Sequence, residues 1–269
     1  MSEHQLPLTH RTALVACSEA KSGALSAGLR SLGAEVLIFP VISTKGIADK
    51  RVLDAALDGL NQYSWIIFTS TYGVRYFLAR MEERNIARDR CRSIQVCAVG
   101  PATAAALESA GVGVSLVPRD FVAEGILSAL EERYGGLHRL AGLRILLPRA
   151  KEARGLLPRA LAAVGALVDV VPCYENTLPE LDADWMRSVL ARTPDLLVFT
   201  SSSAVNNFIA LLGGDDGRKM LSRATVAALG PITARALASF GKQAEILPRE
   251  NTIPSLLDAI RLHYLTTSS

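Results

Sequence analysis

The sequence predicts an α/β fold of two similar doubly wound parallel-sheet lobes made by internal duplication. Three observations carry that expectation. VCAVGPATAAALESAG at residues 96–111 is echoed by VAALGPITARALASFG at 226–241. Apolar runs such as WIIFTS and LLVFT are short and unbroken, the pattern of strands covered on both faces. Helical stretches alternate with them, which makes the sheets parallel and the crossovers right-handed.

TALVACSEAKSGALSAGLRSLGAEVLIFPVIS, 12–43, reads as strand, loop, helix, Gly turn and strand, and LRILLPRAKEARGLLPRALAAVGALVDVVPCYE, 143–175, repeats it. Ser18 and Ser22 are placed to cap the first helix. Gly33, Gly111, Gly165 and Gly241 each follow an Ala/Leu helix, where a left-handed C′ residue is expected. WIIFTSTYGVRYFLAR, 65–80, pairs with LLVFTSSSAVNNFIALL, 196–212, as buried strand, Thr-Ser turn and helix. The Gly-Pro corners are the third pair, so each half reads β-α-β, β-α, β-α-β. DADWMRSVLARTPD, 182–195, reads as a helix burying Trp185, Met186 and Leu190. GGDDG, 213–217, reads as a surface turn and the terminal TTSS as frayed.

With 269 residues the chain suits two domains of about 130. Apolar residues at 49% and charged residues at 20% are those of a self-folding globular protein. No apolar run reaches the roughly 18 residues of a membrane span, and the N-terminus has no signal-peptide core, so a cytoplasmic location is expected. Cys17, Cys91, Cys97 and Cys173 form no CxxC pair, which argues against zinc and structural disulfides. A net charge of +3, spread along the chain, with 6% aromatic residues argues against a nucleic-acid partner.

There is no GxGxxG after the first strand, no GxxxxGK[ST] and no GxSxG. The four histidines lie away from the strand-to-helix corners, which disfavours Ser-His-Asp chemistry. What the corners do carry is hydroxyls: Thr69, Ser70 and Thr71; Thr103; Thr200, Ser201, Ser202 and Ser203; Thr233. Each is an ordinary cap when taken alone. Four corners together offer N–H groups and positive helix ends suited to anionic ligand groups. Lys21, Arg149, Lys151, Arg154, Arg119 and Arg249 lie beside them, pointing to a polycarboxylate or phosphate ligand. Tyr174 breaks the repeat, since its counterpart in the first half is about Ile42.

In their order and spacing, IIFTSTYGVRYF, VCAVGPATAAAL, LLPRAKEARGLLPRAL, VVPCYENT, VFTSSSAVNNFI and VAALGPITARAL followed by PRENTIPSLLDAI resemble the uroporphyrinogen-III synthase family over nearly the whole chain. The resemblance implies two lobes joined by a two-stranded β-ladder, with the active site in the inter-lobe cleft. The lobes would be residues 1–38 with 177–269, and 44–171, with crossing linkers at 39–43 and 172–176.

It also implies a lyase of haem and porphyrin biosynthesis, working without cofactor or metal. Such an enzyme takes hydroxymethylbilane, a linear tetrapyrrole with eight carboxylates, expels its terminal hydroxyl as water and closes the ring with the last pyrrole inverted. Tyr174 looks like the tyrosine that assists loss of the hydroxyl. Ser70, Thr103, Ser201 and Thr233, with Thr69 and Thr200, look like corner groups that bind and orient the substrate. The family often has glycine where this chain has Ala150 and Ala153, so Arg149 or Arg154 is expected to substitute for close backbone approach there, and Lys151 is counted with them among the substrate-binding groups. A monomer is implied, and a transient contact with the preceding pathway enzyme stays open. Two other readings also stay open: a non-catalytic two-lobed module binding a small anion, and a phosphosugar enzyme using the same corners.

Overall fold

β-branched and aromatic runs favour pleated, half-buried strands, and the computed structural model has such runs as the centre of two α/β units. It describes residues 6–18, 22–153 and 155–267. The chain divides into Met1–Ser43 with Thr177–Ser269 as the first unit and Thr44–Asn176 as the second.

In chain order the first unit opens with β1 (Thr12–Ser18), α1 (Ser22–Ser31) and β2 (Glu35–Gly46), whose last residues belong to the second unit. The second unit continues with α2 (Arg51–Asp58), β3 (Trp65–Phe68), α3 (Thr71–Glu83), β4 (Gln95–Ala98), α4 (Pro101–Ser109), α5 (Ala123–Tyr134), β5 (Arg144–Ala150), α6 (Leu156–Ala163) and β6 (Leu167–Thr177). The chain then completes the first unit with α7 (Ala183–Ala191), β7 (Leu196–Phe199), α8 (Ser202–Leu211), α9 (Asp215–Arg223), β8 (Thr225–Ala228), α10 (Pro231–Ser239) and α11 (Ile253–Thr267).

In the first unit β2, β1, β7 and β8 lie side by side, all parallel. In the second the order is β6, β5, β3, β4, again all parallel. Alternation along a strand sends side chains to opposite faces. Ile66 and Phe68 of β3 thus enter one core with Phe77 and Met81, while Trp65 and Ile67 enter another with Ile126, Leu130 and Leu161. In the first unit Leu197 and Phe199 join Phe39 and Phe208, and Leu196 and Val198 join Leu25, Leu29 and Leu256. Burial on both faces is why these strands show no polar alternation.

Gly33, Gly111, Gly165 and Gly241 have φ of +97°, +77°, +86° and +81°, the left-handed ends expected of them. Four details differ from the sequence reading. The last strand of each half is reduced to a single bridge, Cys97 to Leu116 and Ala227 to Ile246. GGDDG is not a plain turn: Asp215 and Asp216 open α9, where carboxylates suit the positive helix end, and Gly217 packs on Ile209. Val189 is buried where Leu190 was expected, and Leu190 is 36% exposed, although Trp185 and Met186 do pack on the core. At the C-terminus α11 continues to Thr267, with the Thr266 hydroxyl donating to the carbonyls of His263 and Leu262. The Ser18 and Ser22 side chains lie outside the described residues.

Candidate functional site

β6 meets β5 in regular register until Arg149 pairs with Pro172 and Ala150 with Tyr174, so Cys173 is the extra residue of a bulge. A bulge re-aims the side chains around it. Val171, Cys173 and Tyr174 consequently all face the same core, which strict alternation forbids for neighbours. In the first unit Cys17 pairs with Pro40 and Ser18 with Ile42, the same slip in the same place. Ile42 is therefore the counterpart of Tyr174, and the polar residue stands only in the second unit.

The buried Tyr174 ring stacks on Tyr76 at 5.5 Å and 15°, and meets Tyr72 at 5.8 Å. Its hydroxyl is 2.9 Å from Ser70 Oγ. Ser70 stands between β3 and α3 and caps the helix, accepting the Gly73 N–H at 3.0 Å. A Cβ on Gly73 would come 3.0 Å from the Pro148 carbonyl, so the missing side chain lets α3 sit tightly against β5. Burial pushes the Tyr174 phenol above its ordinary value; the Ser70 hydrogen bond, and more weakly the Arg149 charge, pull the other way. The group is a neutral proton donor throughout the neutral range.

Thr69 and Arg149 share a pocket of about 320 Å³ in the second unit with Glu124 and the apolar walls Ile67, Leu147 and Phe121. Burial lowers the Arg149 pKa, partly offset by Tyr174. Lys151 is exposed, its Nζ 3.5 Å from Glu175 Oε2, while Lys45 binds Oε1 at 3.1 Å. Hydrogen bonding from Lys45, ahead of Lys151, holds the Glu175 carboxyl below its usual range. Thr103 is buried in the first turn of α4.

In the first unit Ser201 caps α8, accepting the Ala204 N–H at 3.2 Å, and shares a 3.0 Å hydrogen bond with Ser203. Thr200 is half-buried just before it, and Thr233 is buried in the first turn of α10. Lys21 and Arg154 lie outside the described residues. Thr69, Ser70, Arg149 and Tyr174 thus meet in the second unit, and Thr200, Ser201 and Thr233 occupy corners of the first.

Tyr72, Arg75, Tyr76 and Thr44 were not singled out from the sequence. The signal was present in TYGVRY: tyrosines four residues apart share one helix face. Among the described residues no group of three or more His, Cys, Asp or Glu could hold a metal ion, and no helix is long and apolar enough to cross a membrane.

Residues 23–258 match the family model described as Uroporphyrinogen-III synthase HemD. The uroporphyrinogen-III synthase of Synechococcus elongatus is 29% identical over 262 residues, covering 94% of this chain and 96% of that protein. Crystal structures of uroporphyrinogen-III synthases share the fold: the Helicobacter pylori protein has a TM-score of 0.58 at 19% identity, and a mutant Thermus thermophilus protein 0.53 at 22%. Each alignment covers 96% of this chain and 99% of the other. The match along nearly the whole length establishes that the chain belongs to the uroporphyrinogen-III synthase family.

Proposed function

We propose that this uroporphyrinogen-III synthase acts as a cyclising hydro-lyase on hydroxymethylbilane, with Tyr174 as the proton donor to the departing hydroxyl. The observation that carries this reading is the Tyr174–Ser70 hydrogen bond of 2.9 Å at the carboxyl edge of the second unit's sheet. Ligands of open α/β sheets bind at that edge. Hydroxide is a poor leaving group, and a neutral phenol beside a serine supplies the proton that turns it into water. The tyrosinate is then restored to phenol by solvent or by a proton released as the ring closes.

The rest of the rate comes from position. A linear tetrapyrrole left in water closes without inversion, so the protein must hold the terminal ring in the inverted approach during the lifetime of the electron-poor carbon that loss of water leaves. Thr69, Ser70, Thr103 and Arg149 in one unit, and Thr200, Ser201 and Thr233 in the other, are proposed to grip its carboxylates with hydroxyls, charge and helix N-termini. Lys151 is a weaker candidate because Glu175 already engages it. Arg154 keeps its place on the sequence resemblance alone.

The reading includes an internal duplication, with lobes 1–38 plus 177–269 and 44–171 joined through 39–43 and 172–176 as a two-stranded ladder. Its support is the sequence repeat, the matching strand order within each unit and the bulge at the same point of β2 and β6. A monomer in the cytoplasm, taking a soluble polycarboxylate, completes the proposal. Ligand-induced stabilisation tests it: uroporphyrinogen III should raise the melting temperature, and sugar phosphates should leave it unchanged. Stabilisation by sugar phosphates alone would favour the phosphosugar reading.

A further inference from the structure

The helix α3 carries its arginines in two different states. Arg80 is held by Asp54 and Glu83, and Arg84 at its C-terminus by Asp54 and Asp58. Arg75, one turn from the Ser70 cap, pairs with no carboxylate among the described residues. It is exposed yet not loose. Its Nη2 donates at 2.9 Å to both Thr44 Oγ1 and the Tyr76 hydroxyl, and its guanidinium lies 4.7 Å from the Tyr76 ring centre and 5.1 Å from that of Tyr72. The Tyr76 hydroxyl itself donates to the Thr44 carbonyl at 2.6 Å, which fixes the platform.

Both rings that carry Arg75 also touch Tyr174. Aromatic faces hold a guanidinium while leaving its edge available, and pre-organisation removes most of the rotamer entropy that a free arginine loses on binding. Nη2 is occupied, but Nε and Nη1 retain their donors for an acceptor outside the protein. Among the described residues the cation has no anion of its own; it is held by two rings and two hydrogen bonds, and stands one ring from the phenol.

We propose that Arg75 binds a carboxylate of the polycarboxylate substrate, anchoring it beside Tyr174. This rests on the uroporphyrinogen-III synthase reading for the nature of the ligand. Arg75 touches the substrate without supplying a proton, so its contribution is to binding and to the register of the chain of pyrroles, with the Tyr72–Tyr76 platform as its positioning support.

Steady-state kinetics with hydroxymethylbilane generated in situ test the proposal on Arg75→Gln, Arg75→Lys and Tyr174→Phe of the full chain. For Arg75→Gln, KM should rise roughly tenfold with kcat little changed, the low end for a charge-assisted contact because the site is solvent-exposed. Arg75→Lys should recover part of the loss by keeping the charge, though not the stacked fork. The wild-type KM should climb more steeply with salt than that of Arg75→Gln.

An unchanged KM in Arg75→Gln at low salt overturns the proposal. So does equal impairment of the Gln and Lys variants with a lowered melting temperature, which would make Arg75 a structural residue. Tyr174→Phe reports separately: if it keeps full turnover the proton-donor role fails, while the KM of Arg75→Gln still decides the carboxylate site.

Discussion

In the proposed mechanism Tyr174 is the proton donor, and its surroundings act on the phenol in opposite directions. The core that buries it raises the phenol's pKa and Ser70 lowers it again, leaving the net shift upward. A proton donor is active below its pKa and fails as pH rises through it. Because the folded value lies above the ordinary tyrosine range, kcat should stay level through neutral and mildly alkaline pH, with no tyrosine-type decline before about pH 10. A decline centred near pH 8 would assign the proton to another group. Tyr174→Phe should lower kcat by roughly tenfold to a hundredfold, the small end of general-acid effects, because positioning carries much of the rate. Wild-type turnover in single-turnover assays would remove Tyr174 from the mechanism. The tyrosine was legible in the sequence as a break in the repeat. Its neighbours were not, because tyrosines at helical spacing look like ordinary core until the stacking with β6 is seen.

At the scale of elements, the strand-to-helix corners are where helix capping and the proposed binding would use the same atoms. Ser70 Oγ caps α3 and reaches Tyr174 at once, and Ser201 caps α8 in the other unit. Ser70→Ala should therefore destabilise the protein by about 1 kcal/mol in urea unfolding, the ordinary loss of a cap. The Ser201→Ala loss should be similar, but only the Ser70 change should raise the alkaline limit of the kcat profile, since the Tyr174 pKa loses its main lowering partner. Equal pH profiles for the two variants would contradict the pairing. Corners and buried strands were readable because unbroken apolar runs ending in Thr-Ser or Gly-Pro have few alternatives. The start of α9 was missed since two glycines and two aspartates make a good turn, whereas the segment continues as a helix that buries Gly217, Met220 and Leu221. The bulge that aims Tyr174 was also beyond reach: a one-residue slip leaves the hydrophobic pattern of VDVVPCYE unchanged and depends on pairing with β5.

For the molecule as a whole, each unit encloses its own cores on both faces of a parallel sheet, and the family match runs through both. The similarity between the units was visible along the chain because both carry Thr-Ser and Gly-Pro corners after buried strands. The polar residue at one of two corresponding positions of the repeat, Tyr174 against Ile42, is the sequence feature on which the proposed chemistry rests. The most direct test is the isomer made. Hydroxymethylbilane generated in situ is mixed with the protein, the products are oxidised, and porphyrin isomers I and III are separated. The account predicts mainly isomer III with the wild type, and a shift toward isomer I with Tyr174→Phe as slow enzymatic closure competes with spontaneous closure. Isomer I alone, formed at the rate seen without protein, would contradict it.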